Sequence, residues 1–363
     1  MVIGMREETT KNLTKITNMN MKTHQYASKV LTASPSKTPK ISIGLPVYNG
    51  EPYLRESIES ILAQDFEDFE LLISDNASTD GTWGICQEYA TNDARVRLHR
   101  HERNLGARSN FSYVFKNTFG LYFMWHAHDD LRSSNTLSSC IAFLDNHPDF
   151  VLCSTQNTII DHGGESLYPC QGNWQWDDDD PVARLRTAIA VGNPYAHAIY
   201  GVFRRLCLQK LLPPPHTALM FDGVLMPVVA LAGKCGHAKN AVRFFRPPHL
   251  RPNVVANSPR ETVQYLRRQT FGDSAAFRIL PVLSHRRAVT ALISQMSDMA
   301  PSQKIEAIKI ARRHPDLRIS LVNELARLFR EAVSYSTPLY QAGRRIRLHW
   351  LPKFRKFLGR PCF

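Results

Sequence analysis

Apolar and polar positions change their spacing repeatedly between residues 40 and 155. In some stretches the apolar residues follow one another, and in others they recur three or four positions apart, as at Leu54, Ile58 and Ile61. Continuous runs predict buried strands, and the wider spacing predicts amphipathic helices. The predicted strands are 41–47, 69–74, 96–100 and 121–126, with a further strand beginning at 151–154.

The predicted helices lie between these strands, at about 51–63, 80–91, 106–118 and 133–146. Regular alternation of strand and helix is typical of α/β proteins, in which helices cover both faces of a parallel sheet. We therefore expect an α/β fold with a mainly parallel sheet flanked by helices.

The pattern is less regular from 155 to 250. Gly163-Gly164 predicts a hairpin turn. The acidic run Asp177–Asp180 precedes a proline and is interpreted as the start of a helix, where negative charge is favourable. A further helix is predicted at about 222–233, ending at Gly233.

The composition changes after Pro247, where prolines are followed by arginine-rich helical patterns. The last stretch, 344–360, has seven Lys/Arg, no acid and several large apolar residues, although Pro352 interrupts it. This composition is typical of an interfacial amphipathic helix. Further helices are predicted at 260–271, 285–299, 302–313 and 316–334.

Three regions follow from these patterns. Residues 1–39 lack periodicity and predict a disordered basic leader, residues 40–250 form the α/β domain, and residues 251–363 form a basic helical extension. The net charge of +13 is uneven, with −5 on 40–250 and +14 on 251–363. We expect the extension to contact an anionic membrane surface; the alternative is a solvated helical surface.

The seven cysteines include no C-x-x-C pair, which favours reduced thiols. No apolar run approaches the roughly 20 residues that span a bilayer, and the N-terminus lacks the apolar block of a signal peptide. We therefore expect a cytoplasmic protein, peripheral on the inner face of the membrane.

Polar side chains follow three of the predicted strands. Tyr48 and Asn49 come after the first strand, Asp75 after the second, and Asp129-Asp130 after the fourth. In open α/β sheets, ligands bind just outside the carboxyl ends of the strands. These residues are therefore expected to meet in one crevice.

Asp129 and Asp130 are adjacent carboxylates that repel each other unless a cation or hydrogen bonds hold them. A Mg²⁺ or Mn²⁺ ion that also binds a diphosphate would serve, because such ions prefer oxygen ligands. The alternative is that Asp130 or Ser133 caps the next helix. The segment around Asp75 has a similar alternative as an ordinary turn.

Together these motifs resemble the family-2 glycosyltransferases, which have the GT-A fold of nucleotide-diphospho-sugar transferases. The resemblance covers roughly residues 40–245. Its motifs are PVYN at 46–49, SDNASTDGT at 74–82, NLG at 104–106 and HDD at 128–130.

The resemblance implies a metal site at Asp129 for Mg²⁺ or Mn²⁺, which would hold the diphosphate of the donor. Ala127 stands where the family has its first aspartate, and we expect His128 to compensate for the missing carboxylate. The residues that the resemblance assigns to the nucleotide-sugar donor are Pro46, Val47, Tyr48, Asn49, Glu51, Asp75, Asn76, Asn104, His128, Asp130, His197 and Arg204.

The resemblance also assigns a catalytic base. Asp222 heads a predicted helix and matches the carboxylate that takes the proton from an acceptor hydroxyl, while Phe221 replaces the family's usual glutamate. The alternatives are that Asp222 is a helix N-cap and that His197 is a buried structural histidine.

These residues predict a metal-dependent, inverting glycosyltransferase with a glycan or lipid-linked acceptor, in cell-surface polysaccharide or glycolipid assembly. A catalytically degenerate scaffold that binds a nucleotide sugar or a polyanion is the alternative, favoured by Ala127 and Phe221. A dinucleotide-dependent enzyme would need G-x-G-x-x-G after the first strand, where only Gly50 is found. Nucleic acid is not expected as a partner, because no recognised binding module is present.

Overall fold

The computed structural model describes residues 38–170, 176–190, 195–211, 221–247 and 289–313. The strands are β1 Ile41–Val47, β2 Phe69–Asp75, β3 Val96–Arg100, β4 Tyr122–Trp125, β5 Leu131–Arg132, β6 Phe150–Ile160, β7 Ser166–Pro169, β8 Val202–Arg204 and β9 Lys234–Phe245. The helices are α1 Glu51–Leu62, α2 Thr82–Asn92, α3 Ala107–Lys116, α4 Thr136–Asn146, α5 Pro181–Ala190, α6 Tyr195–Ala198, α7 Arg205–Leu211, α8 Phe221–Ala232 and α9 Pro301–Arg313.

The first four strands form a parallel half-sheet in the order β3-β2-β1-β4. All residues of β1 and β2 are buried. Strands covered on both faces need continuous apolar runs, which is why their bounds were readable from sequence. The predicted α/β fold is confirmed in this half, with small shifts at the element ends.

The second half of the sheet is mixed. Strand β8 runs antiparallel to both β4 and β6, β9 is parallel to β6, and β5 is antiparallel to β9. The expected mainly parallel sheet is confirmed, since β1, β2, β3, β4, β6 and β9 run in one direction, and β5, β7 and β8 run against them. Strands of two or three residues, such as β5 and β8, are too short to show a periodic pattern.

Two local predictions between residues 155 and 190 agree with the structure. The Gly163-Gly164 turn joins β6 to β7, which pair antiparallel. The acidic run ends at Asp180, whose carboxylate accepts hydrogen bonds from the amides of Val182 (3.1 Å) and Ala183 (3.3 Å) at the start of α5. Asp180, the last residue of the run, thus caps helix α5.

Hydrophobic cores lie on both faces of the sheet. Helices α1 and α4 cover one face, with Ile58 and Ile141 among their buried residues. On the other face, α3, α5, α7 and α8 pack together. Helix α3 lies so close to β1 that a Cβ atom on Gly44 would be 2.6 Å from Val114. Glycine is required there for close packing of strand and helix.

Part of the C-terminal region packs on the same core. Residues 289–295 are helical, and Val289 and Ile293 are fully buried with α8 in one cluster. Helix α9 contributes Ala307 to that cluster. The other predicted C-terminal helices, the segment 344–360 and the leader lie outside the described residues, so the three-region division stays a prediction. Within the described ranges, no helix is long and apolar enough to cross a membrane.

Candidate active site

The loops that follow β1 and β2 are joined by hydrogen bonds. The main-chain amide of Asn49 donates a hydrogen bond to Ser78 Oγ (2.9 Å). Its side-chain Oδ1 accepts a hydrogen bond from the main-chain amide of Thr79 (2.9 Å). Glu51 Oε2 accepts a bond from the Gly81 amide (2.7 Å). Asn49 has φ of 51°, a left-handed conformation in which asparagine is enriched. The polar groups of Asn49 and Glu51 thus shape the crevice, and their direct contact with a donor stays a prediction.

The PVYN motif divides between core and crevice. Pro46 and Val47 are buried in β1, while Tyr48 is half-buried and Asn49 is exposed. The Val47 carbonyl accepts a bond from the Asn76 amide (2.9 Å). Tyr48 is therefore the aromatic side chain of the motif that a ligand can reach.

Asp75, at the end of β2, is fully buried. Its Oδ1 accepts a bond from the Ser78 amide (3.0 Å), and its Oδ2 lies 3.1 Å from Nε of Arg100. Arg100 also lies over the Trp83 ring, 5.3 Å from the centroid. Arg100 was missed from sequence because only the β2–β3 register, which sets Asp75 opposite Arg100, brings the two together.

The side chains of Asn76 and Asn104 form a buried hydrogen-bonded pair beside Asp75. Asn76 Nδ2 donates to Asn104 Oδ1 (2.9 Å), while Asn76 Oδ1 accepts a bond from the Leu105 amide (2.9 Å). Asn104 Oδ1 also accepts from the amide of Gly106, whose φ is 83°. These bonds join the loop after β3 to the end of β2, and a contact of Asn76 or Asn104 with the donor stays a prediction.

Asp129 and Asp130 follow β4 at the same sheet edge as Asp75, because β1 lies parallel between β2 and β4. Asp130 is fully buried, and its Oδ2 accepts bonds from Nε (2.8 Å) and Nη2 of Arg243. Its Oδ1 accepts from the Arg246 amide (3.2 Å). Burial raises the pKa of Asp130, Arg243 opposes that rise, and Asp129 adds to it.

This arrangement corrects one interpretation of Asp130. The carboxylate does not cap a helix, because α4 begins later, at Thr136. The contacts of Asp130 are with Arg243 and with the Arg246 amide, and its contact with the donor sugar stays a prediction. The guanidinium, with the Arg246 amide, is what resolves the repulsion between the adjacent aspartates.

Arg246 follows β9 directly, is fully buried, and contacts the turn that contains Asp129 and Asp130. Its Nη1 donates to the Asp129 carbonyl (2.6 Å), its Nε donates to the Asp161 carbonyl (3.0 Å), and its Nη2 lies 2.8 Å from Glu56 Oε1. Its guanidinium lies over the Tyr53 ring at 4.2 Å. One side chain thereby joins α1, the Asp129-Asp130 turn and the end of β6.

Asp129 is the other carboxylate of the pair, and the bonds of Arg243 described above go to Asp130. Asp129 is 3% exposed. The described ranges contain no group of three His, Cys, Asp or Glu side chains placed to hold an ion. Mg²⁺ commonly uses one or two carboxylates and completes its coordination with water and substrate phosphates. The donor set therefore fits an ion shared with a diphosphate.

Two histidines flank this turn. His128 packs so closely against the loop after β1 that a Cβ on Gly50 would lie 2.7 Å from its Cδ2. His197 Nδ1 lies 3.2 Å from Arg243 Nη1. Burial, with Arg243, lowers the pKa of His197 to about 4. His197 is thus a neutral neighbour of the Asp130–Arg243 pair.

Arg204 lies at the wrong edge of the sheet for a donor contact. Because β8 is antiparallel to β4, Arg204 pairs with Tyr122 at the start of β4. Its guanidinium donates to the carbonyls of Phe150 (2.7 Å) and Leu144 (2.6 Å). The prediction that Arg204 lines the donor site is corrected, since strand direction was not readable from sequence.

Asp222 is the second residue of α8. The helix is followed directly by Gly233 and β9, whose first residue pairs with the start of β6. The C-terminal end of α8 therefore lies at the edge opposite the aspartates. At 1.5 Å per residue, the 12 residues of α8 span about 18 Å back from that edge.

A half-parallel, half-mixed sheet with aspartates following strands at one edge agrees with the GT-A fold that the sequence motifs led us to expect. Residues 42–210 match the family model described as glycosyl transferase family 2. The resemblance seen in the sequence motifs is confirmed.

Three similar proteins illustrate the relationship. The chain is 34% identical over 127 residues to the putative glycosyltransferase EpsE of Bacillus subtilis, covering 35% of this chain and 46% of EpsE. It is 35% identical over 108 residues to the minor teichoic acid biosynthesis protein GgaB of Bacillus subtilis, covering 29% of this chain and 12% of GgaB. The chain therefore spans less than half the length of these curated relatives.

The third is a solved structure, that of S. aureus TarS residues 1–349 in complex with UDP-GlcNAc. It matches with a TM-score of 0.56 at 17% identity, over 81% of this chain and 79% of that chain. At this identity the match shows the fold alone, and it agrees with the GT-A architecture.

Proposed function

We propose that this glycosyltransferase is inverting and metal-dependent, and that it moves a sugar from a nucleotide-diphospho-sugar to a hydroxyl acceptor. The observation that carries the proposal is the convergence of Asp75 and Asp129 at one sheet edge, on either side of β1. Two carboxylates so placed suit the two ends of such a donor, the nucleoside and the diphosphate.

The nucleoside end of the donor is assigned to the β1–β2 side of the crevice. The Asp75 carboxylate is held by the Ser78 amide and by Arg100, so it is oriented before any ligand arrives. Tyr48 supplies a partly accessible ring beside it. Preorganised groups lower the cost of ordering the site on binding.

The diphosphate end is assigned to Asp129, which would hold a Mg²⁺ or Mn²⁺ ion together with the phosphates. When bound, such an ion neutralises negative charge that develops on the leaving nucleoside diphosphate. Asp130 contributes indirectly, because its pair with Arg243 fixes the turn that carries Asp129. His128, against Gly50, closes the same side of the crevice.

Asp222 is proposed as the general base that takes the acceptor hydroxyl proton. The direction of α8 supports this, because the helix runs away from the edge opposite the aspartates and so carries Asp222 back toward them. A positioned base contributes roughly 10²–10⁴-fold to the rate. Attack from the base side, opposite the leaving group, would invert the anomeric carbon.

The acceptor is proposed to be a glycan or a lipid-linked hydroxyl in cell-surface polysaccharide assembly, in keeping with the name of the relative GgaB. The basic region 251–363 is proposed to attach the protein to an anionic membrane surface on the cytoplasmic side, through its +14 charge.

The experiment begins with a screen of nucleotide sugars, scored by release of the nucleoside diphosphate with and without Mn²⁺. Asp129→Asn is expected to abolish metal-dependent donor binding and turnover with the fold intact. Asp145→Asn, which alters a half-exposed carboxylate at the opposite edge, is the matched control. Full turnover by Asp129→Asn would refute the metal assignment.

Asp222→Asn separates binding from chemistry. We expect donor affinity to be kept and transfer to fall by at least about 10²-fold. Wild-type turnover in this variant would remove Asp222 as the base, and a retained anomeric configuration in the product would remove the single-displacement mechanism.

A binding module is the second candidate, and the Asp130–Arg243 pair favours it. With Ala127 in place of an acid and Asp130 paired with Arg243, this segment offers a metal fewer carboxylates than the family motif does. Calorimetry showing tight binding of a nucleotide sugar, with no turnover against any acceptor tested, would support this candidate over the enzyme.

A further inference from the structure

We infer that Arg246 is a positioning residue that sets the place of the Asp129 carboxylate and thereby the affinity for the divalent ion. The inference rests on the proposed metal-dependent function. It assigns a role to a residue that approaches the site from β9, more than one hundred positions away in the chain.

The first support is the number of bonds that Arg246 makes to the turn. Its Nη1 donates to the carbonyl of Asp129, at 2.6 Å, and its main-chain amide donates to Asp130 Oδ1, at 3.2 Å. Arg246 therefore holds both residues of the pair. The position of a carboxylate depends on the main chain that carries it. By fixing the Asp129 main-chain carbonyl, Arg246 therefore also positions the Asp129 side chain.

The second support is that Arg246 is itself fixed on every side. Its Nε donates to the Asp161 carbonyl (3.0 Å), its Nη2 pairs with Glu56 (2.8 Å), and its guanidinium lies 4.2 Å from the Tyr53 ring centroid. The side chain is fully buried. A group anchored to α1 and to the end of β6 can hold the turn rigidly.

The third support is chemical. The planar guanidinium donates in several fixed directions at once, whereas a lysine ammonium is a compact point charge on a flexible stem. Lysine at 246 would preserve the charge beside Glu56 but would not reach both carbonyls with the same geometry. Groups that orient metal ligands in this way typically change metal affinity by 10–100-fold when altered.

The test compares Arg246→Lys with Arg205→Lys in the full chain. Arg205 is a suitable control because its buried guanidinium also donates to main-chain carbonyls, those of Phe115 (2.8 Å) and Thr118, and lies 4.6 Å from an aromatic ring. It lies at the opposite edge of the sheet, where β8 meets the start of β4.

Mn²⁺ affinity is measured by calorimetry at a fixed concentration of the nucleoside diphosphate, among UDP, GDP, CDP and dTDP, that binds the wild type best. We expect Arg246→Lys to weaken Mn²⁺ binding by about 10–100-fold, with unchanged nucleotide affinity in the absence of metal. Arg205→Lys is expected to lower the melting temperature without weakening Mn²⁺ binding.

Unchanged Mn²⁺ affinity in folded Arg246→Lys would overturn the inference, and so would an equal loss in both variants, because that would indicate general destabilisation. If Arg246→Lys does not fold, Glu56→Gln releases one side of the guanidinium, and wild-type Mn²⁺ affinity there would likewise overturn it. If the wild-type protein binds the nucleotide with the same affinity with and without Mn²⁺, the proposed metal-dependent function is refuted, and this inference with it.

Discussion

Replacing Arg243 by alanine removes the cation that balances a buried carboxylate. Arg243 is 1% exposed and Asp130 is fully buried, and Nε and Nη2 of Arg243 both donate to Oδ2 of Asp130. The guanidinium also lies 4.1 Å from the Tyr200 ring centroid. In the variant, the Arg246 amide remains as a neutral donor to Asp130, at 3.2 Å.

The expected cost is large because the remaining charge is buried. Breaking a buried ion pair by removing one partner costs about 3–5 kcal/mol. For a domain of this size each kcal/mol lowers the melting temperature by about 2–4 °C, so we expect a loss of roughly 6–20 °C at neutral pH.

The cost should also depend on pH. Burial raises the pKa of Asp130, and Arg243 opposes that rise, so the pKa is higher still in the variant. A carboxyl group with a raised folded-state pKa stabilises the fold most below its unfolded pKa of about 3.9, and this contribution is lost as pH rises through the folded value. The deficit of the variant should therefore be larger at pH 8 than at pH 5.

Melting curves of wild type and Arg243→Ala at pH 5, 6.5 and 8 provide the assay. The double variant Asp130→Asn/Arg243→Ala removes the unpaired buried carboxylate. It should recover much of the lost melting temperature, with little dependence on pH. A melting loss below about 2 °C at pH 8, or a loss that grows toward pH 5, would show that the pair is not the buried ion pair described here.

Three further predictions concern other parts of the molecule. His197 has a pKa lowered from 6.5 to about 4, so stability should fall as pH drops from 6.5 toward 4; denaturant unfolding should show a flatter profile in His197→Asn, and an identical profile would contradict this. Asn76→Ala removes bonds with Asn104 and Leu105 and should cost about 1–3 kcal/mol in urea unfolding, against no change expected from exposed Thr91→Ala. Deleting 344–363 should weaken sedimentation with anionic vesicles, by about 1 kcal/mol per well-placed basic residue; undiminished binding would count against this segment.

Much of the fold's first half was predictable because its signals are local. Buried parallel strands require continuous apolar residues, and the turn-forming SDNASTDGT segment marks the point where β2 ends. The rule that ligands bind at the carboxyl ends of strands then brought Asp75 and Asp129 to one edge. Each of these steps needed only neighbouring residues and a general rule of topology.

The errors share a different origin. Arg204 was misplaced because its position depends on β8 running antiparallel to β4. The pairing of Asp130 was not foreseen because its partner, Arg243, lies 113 residues away in the chain. No periodicity or spacing in the sequence records a pairing over that distance.

The amino-acid sequence by itself determined the strand and helix pattern of the first half, the family and the edge at which the aspartates gather. Tertiary structure alone decided which of the two adjacent aspartates is paired with an arginine. The physical reason is that local apolar spacing selects secondary structure, whereas the state of a buried charge depends on the distant groups that packing brings against it.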